Sequence, residues 1–207
     1  GAIVIRKNES RAEAETVSPG ENVLKMCTFK VGENARGRKL GEQLLKQVLW
    51  HAQLNNYDTV YVTAYAKQVE LIGLLREYGF RRTKENANGE RYYEKVMVHG
   101  EPTLDEGEDA LAGAHRCYPR YFEGQAVQKF VIPIRPGYHA KLFPEASGGA
   151  VEADQDRPGN TIKKVYLCNS PSNQLRPGDL LFFYVTASDN DFSQTIATVG
   201  VIEQVRI

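Results

Sequence analysis

The residues whose types and spacing first suggest chemistry are Arg36, Gly37, Arg38, Lys39 and Gly41. They end the polar loop Gly32 to Lys39 (GENARGRK) and open the segment LGEQLLKQVLWHAQLNN. In that segment Leu40, Leu44, Leu45, Val48, Leu49 and Ala52 recur at helical spacing. A helix N-terminus carries N–H groups without intrahelical acceptors and the positive end of the helix dipole. Cations beside it, with glycines that admit a ligand to the backbone, make an anion site for which a pyrophosphate is a natural occupant. A solvated, basic helix start would satisfy the same pattern, so the weight falls on what surrounds the loop.

A second group lies in Leu180 to Thr186 (LLFFYVT). In strand alternation Phe182 and Tyr184 share one face and Phe183 takes the other. Aromatic faces stack on nucleic-acid bases, while nearby hydroxyls and amides read base edges. Packing into a core is the commoner fate of such a strand. Gly178 supports a tight turn just before it, and Asp179 can bond the turn's own backbone. His139 has no arrangement of Cys, Asp or Glu around it that suggests a metal, and reads as a hydrogen-bonded loop residue.

The elements that must position these groups follow from periodicity and punctuation. Strands are expected over Gly1 to Lys7, Val23 to Val31 and Tyr57 to Ala66. Gln68 to Tyr78 reads as a helix stopped by Gly79, and Phe80 to Thr83 pairs with Glu90 to Val98 around Asn86-Ala-Asn-Gly89. The order is β, β, α, β, α, β, β. Residues 99–124 carry Glu101, Asp105, Glu106, Glu108 and Asp109 and read as an acidic linker, with a short helical turn near Ala110 to Ala114. Beyond it, Ala126 to Pro133, Ile162 to Cys168, Leu180 to Thr186 and Thr195 to Val205 read as strands, with turns at Arg157 to Asn160 and Leu175 to Gly178. Several short strands with little helix suggest a small barrel. The fold class expected is α+β, divided into residues 1–98, a linker 99–124 and a barrel 125–207.

Composition narrows the class. The 207 residues carry 26 basic and 26 acidic side chains, so bulk charge does not hold this chain to nucleic acid, although a local basic groove remains compatible. Cys27, Cys117 and Cys168 are odd in number and widely spaced, and read as free thiols in a reducing compartment. No apolar run approaches the roughly 20 residues of a membrane span, and no signal-peptide pattern is present. A cytoplasmic protein without a membrane partner is expected. A chain that opens inside a strand reads as part of something longer.

Arg36-Gly-Arg-Lys-Leu-Gly41, after a strand and before an amphipathic helix, resembles the coenzyme A pyrophosphate loop of the GNAT acyltransferase superfamily. Arg36 and Gly41 fit the pattern Arg/Gln-x-x-Gly-x-Gly/Ala, and Lys39 stands at its first glycine. VELIGLLREYGF resembles the family's later helix, which closes on Gly-Phe. The matches cover residues 23–98. The resemblance implies acetyl-CoA as cofactor, Thr28, Phe29, Lys30 and Val31 pairing with the pantetheine arm, and Arg36, Gly37, Arg38, Lys39, Leu40 and Gly41 around the pyrophosphate. Gln68 and Leu75 stand where the family often has Asn and Tyr. That Tyr commonly protonates the leaving thiolate, so Leu75 argues against simple general-acid catalysis. Tyr78 and Tyr65 are the catalytic candidates, each as compatible with packing. The elements that shape the acceptor site are expected upstream of Gly1.

Arg176-Pro-Gly-Asp179, LLFFY and TVGVIE together resemble the PUA-like superfamily, in its ASCH and EVE branches, over about the last 80 residues. This implies a reader of RNA or of modified DNA bases. Tyr184, Thr186, Ser188, Asn169 and Ser170 would form the base site, with Arg135, Tyr138, His139, Lys141, Lys163 and Lys164 for phosphates. A pair such as Lys163–Lys164 is usually a solvated strand end. Two functions follow from the combination. One is an acetyl-CoA-dependent N-acyltransferase whose barrel delivers a nucleic-acid acceptor. The other is a non-catalytic acyl-CoA-binding scaffold with a base reader, in an effector of toxin–antitoxin or phage-defence type by analogy of fold combinations.

Overall fold

The structure is a computed structural model that describes residues 1–35, 37, 39–146, 162–167, 174–187 and 194–206. The chain divides into two compact units, Gly1–Thr103 with His115–Tyr121, and Leu104–Ala114 with Phe122–Ile207. Among the described residues no helix is long and apolar enough to cross a membrane.

The first unit is a mixed five-stranded sheet with helices. Strands β1 (Ala2–Ser10), β2 (Asn22–Val31), β3 (Thr59–Tyr65), β4 (Arg81–Glu85) and β5 (Glu90–Val96) lie in the order β1-β2-β3-β5-β4. Only β2 and β3 pair in parallel. Helix α1 (Leu40–Leu54) joins β2 to β3, and α2 (Val69–Glu77) joins β3 to β4. Both crossovers carry the chain the same way across the sheet, so right-handed connections lay both helices on one face. The apolar stripe of α1 is buried through Leu45, Val48, Leu49 and Ala52, and that of α2 through Ile72 and Leu75. The strand–helix order expected for residues 1–98 is the order observed.

On the other sheet face Tyr61 and Tyr92 stack with ring centroids 6.0 Å apart and form one buried cluster with Val23, against which Ala14 packs. Residues 11–21 are tied to this unit through polar contacts. Buried Glu94 accepts from the backbone N–H of Val17 at 3.0 Å and Ser18 at 2.7 Å, and from the Thr83 hydroxyl at 2.6 Å. Burial by itself would raise the Glu94 carboxyl. The bonds from Thr83, Ser18 and Val17 outweigh it and hold the group below the usual carboxylate range.

Both turn expectations hold in this unit. Gly79 (φ 82°) ends α2, with its N–H donated to the Arg76 carbonyl at 3.1 Å. Gly89 (φ 78°) completes the β4–β5 hairpin, where the Asn86 side-chain oxygen accepts from Asn88 and Glu90.

The second unit holds a three-stranded sheet of β6 (Lys129–Ile134), β7 (Leu180–Val185) and β8 (Thr195–Val201), with β7 central. Here the sequence expectation needs correction. The described residues form an open sheet, parallel between β6 and β7, and not a closed barrel. Residues 162–167 contain no strand, and the expected turn at 157–160 and Cys168 lie outside the described residues. The expected first strand is shorter and is followed by helix α4 (Pro136–Leu142), which the sequence reading missed. Pro136 at its first position is the signal that marked a helix start. The segment read as a linker carries α3 (Ala110–Cys117), longer than the expected turn, with Ala114 and Cys117 buried.

Candidate functional site: a gap between two parallel strands

The parallel ladder between β2 and β3 runs only from Val23↔Thr59 to Met26↔Val62. Beyond it Cys27 to Val31 have no β3 partner, although both strands continue. The outer sides of both stay paired: Thr28 to Val31 with β1, and Thr63 to Tyr65 with β5. A bulge begins the divergence. Met26 pairs with Arg6 and Thr28 with Ile5, leaving Cys27 as the extra residue. An extra residue bends its strand and increases the local twist, which turns β2 away from β3. Among the described residues, backbone groups of 27–31 on the β3 side have no ladder partner, and a backbone polar group asks for one.

The loop and helix that follow approach this stretch. Gly37 (φ 79°) and Lys39 (φ 54°, ψ 23°) are left-handed, and Lys39 is the N-cap of α1 with no side-chain cap. That conformation explains why a glycine would suit position 39, because a Cβ is strained there. The Lys39 ammonium stands 4.0 Å from Glu42. A Cβ on Gly41 would lie 3.6 Å from Leu74, 3.8 Å from Phe29 and 3.9 Å from Val31. The first turn of α1 therefore sits against β2 and α2, with its N-terminal N–H groups near the unpaired strand.

Thr28, Phe29, Lys30, Val31, Gly37, Lys39, Leu40 and Gly41 thus occupy one continuous strand–loop–helix stretch. Arg36 and Arg38 lie outside the described residues. The catalytic candidates separate. Tyr78 is 1% exposed, its ring packed on those of His115 at 5.8 Å and Tyr118 at 5.5 Å. Tyr65 is 42% exposed at the end of β3, in the part of that strand that β2 has left. Leu75 is fully buried in the core. The sequence reading did not find the bulge at Cys27. A cleft of about 370 Å³ lined by Trp50, Gln53, Pro119, Arg120 and Tyr121 shares no residue with this stretch.

In the second unit the candidates take different roles. Arg135, the N-cap of α4, is exposed, as are Tyr138 and Lys141 on the helix, with the Lys141 ammonium 6.0 Å from the Tyr138 ring. His139 faces inward on the same helix, 5% exposed. Its ring lies on Phe143, and Nε2 is 2.8 Å from the Thr198 hydroxyl. It is a helix residue and not the loop residue expected. Lys163 donates to Glu203 at 2.5 Å, and Lys164 lies 5.5 Å from the Phe143 ring. Thr186 donates its N–H to the Ile134 carbonyl. Tyr184 is half-buried, whereas Phe183 is core, edge-on to Phe143 and Tyr166. Asp179 accepts from the N–H of Arg176 and Gln128, as a turn anchor should. Asn169, Ser170 and Ser188 lie outside the described residues.

No protein-family model matches the chain, and no curated protein does. Solved structures do. A GNAT family acetyltransferase from Elizabethkingia anophelis with acetyl-CoA bound matches at 20% identity and a TM-score of 0.33, over 36% of this chain and 61% of that one. Arabidopsis thaliana NAA60 in complex with acetyl-CoA matches at 19% identity and 0.40, over 46% and 65%. The NatC complex bound to Gag peptide and CoA matches at 13% identity and 0.37, over 45% and 57%. The chain spans less than two thirds of each of these structures. The overlaps are partial, and the assignment below rests on the β2–β3 gap.

Proposed function

We propose that the first unit binds acetyl-CoA in the β2–β3 gap and belongs to an acyl-CoA-dependent N-acyltransferase. The observation that carries this is the parting of β2 from β3 at the Cys27 bulge. An extended amide-bearing arm matches the unpaired backbone of Cys27 to Val31, as an added strand would. A pyrophosphate matches the N-terminus of α1 reached through Gly37 and Lys39. Chemistry on this reading is direct attack of an acceptor amine on the thioester carbonyl, in which the C–N bond forms, the C–S bond breaks and coenzyme A leaves as the thiol with the proton the amine gives up. Proximity and a backbone N–H toward the developing oxyanion accelerate it.

The test is calorimetric titration of the chain with acetyl-CoA. Micromolar binding is expected, reduced at least tenfold by Gly41→Trp, whose ring has no room between Leu74, Phe29 and Val31. Absence of binding, or equal binding by the variant, rejects the assignment. A non-catalytic reading of the same gap is favoured by one observation, the fully buried Leu75 where the resembling family carries a tyrosine. Binding without acetyl transfer to any amine would select it. For the second unit we infer a nucleic-acid contact, RNA or modified DNA, along α4. Exposed Tyr138 and Lys141, three residues apart, share one side of that helix, and exposed Arg135 precedes it as the N-cap. Arg135→Ala with Lys141→Ala should weaken binding of a labelled RNA oligonucleotide and flatten its salt dependence; unchanged affinity rejects it.

A further inference from the structure

Lys95 is a lysine on the helix-facing side of β5, paired across the ladder with fully buried Val60. It is 2% exposed. Its Nζ donates to the Tyr78 carbonyl at 2.8 Å and to the Arg116 carbonyl. Tyr78 is the C-cap of α2, and Arg116 lies in the last turn of α3. Among the described residues no carboxylate stands within ion-pair distance of Nζ. The approach is close. A Cβ on Gly79 would meet the Arg116 carbonyl oxygen at 2.9 Å and Lys95 Nζ at 3.1 Å.

A neutral amine has two N–H groups, which two carbonyls satisfy. An ammonium has three and carries a charge that burial penalises. We propose that Lys95 is a proton-sensitive latch for residues 115–121: its neutral form holds the segment on the first unit, and protonation loosens it. The groups facing Nζ are the Tyr78 carbonyl at the end of α2, and Arg116 and Cys117 from the segment, whose His115 lies against the Tyr78 ring. Burial pushes the Lys95 ammonium down to about 7, with the Cys117 thiol opposing and the Arg116 guanidinium adding to the shift. An amine released to water titrates near the ordinary 10.5. The released form therefore binds more protons between these values, so docking strengthens as pH rises through that window and levels off below it.

Amide hydrogen exchange of the full chain tests this. The N–H groups of Tyr118 and Arg120 are bonded to the carbonyls of His115 and Cys117, and report the segment. Their protection, corrected for intrinsic rates, should rise up to about tenfold per pH unit above about pH 7.5. It should also stay below that of the α1 amide of Leu49. In Lys95→Met the slope should vanish. A dependence carried by His115, whose ring lies near Tyr78, would survive that substitution and overturn the latch. A flat profile in the unaltered chain overturns it too. So does protection equal to that of Leu49, which would mean that the segment opens only with the whole unit. The slope of the unaltered chain keeps the test decisive if the variant does not fold.

Discussion

Position 39 shows how one residue can serve two demands that conflict. The backbone there is left-handed, which costs a non-glycine residue about 1 kcal/mol. Replacing Lys39 by Gly relieves this strain by more than the freedom it adds to the unfolded chain, so it should stabilise the chain by about 0.5 kcal/mol in urea unfolding. The same change removes a cation from the proposed pyrophosphate loop, so acetyl-CoA binding should weaken while stability rises. Lys95 makes a separate case. Its folded value near 7 lies below the unfolded 10.5, so the unfolded chain holds the extra proton between them. Stability of the first unit should rise with pH across that window, and the burial penalty is fully present below it. Lys95→Met removes the penalty but leaves two carbonyls without their donor. Its stability relative to the unaltered chain should be greatest below neutral pH and decline toward pH 10, which chemical denaturation at several pH values would show.

Among elements, the divergence of β2 from β3 is the feature on which the proposed function turns, and the connection of residues 11–21 is the one that trims the opposite face. Glu94 holds that connection by accepting from the backbone N–H groups of Val17 and Ser18, and it also accepts from the Thr83 hydroxyl of β4. Its carboxyl lies below the ordinary 4.5, so its contribution is present above that value and is lost as pH falls through the folded value. Glu94→Gln should cost about 1–3 kcal/mol at neutral pH and flatten the acid limb of the stability curve. An acid limb unchanged by the substitution would mean that the connection is held elsewhere. The bulge at Cys27 was not legible in VLKMCTFKV, because a bulge is a property of two strands in register and one strand's alternation does not reveal it. Helix α4 was partly legible: Pro136 marks a helix start, but the apolar run before it reads on as strand.

At the scale of the molecule, two units with separate cores should not unfold as one. Calorimetry should resolve two transitions. Acetyl-CoA at about 100 times its dissociation constant should raise only the transition of the first unit, by about 2.7 kcal/mol. A ligand-induced shift of both, or of neither, would contradict the assignment of the gap to that unit.

The sequence by itself determined the succession of elements in residues 1–98, the helix stop at Gly79, the hairpin at Gly89 and the strand–loop–helix order at Gly37 to Gly41. These are local matters: periodicity, φ preference and the free N–H groups of a helix start act within a few residues of one another. Tertiary structure decided that β2 parts from β3 after Met26, that Tyr78 packs inward while Tyr65 stays exposed, and that β6 pairs in parallel with β7. It also decided that Lys95 is buried at the ends of two helices. Each of these depends on which distant backbone groups find partners. Pairing of that kind is set by the register and twist of strands far apart in the chain, and no single segment encodes it.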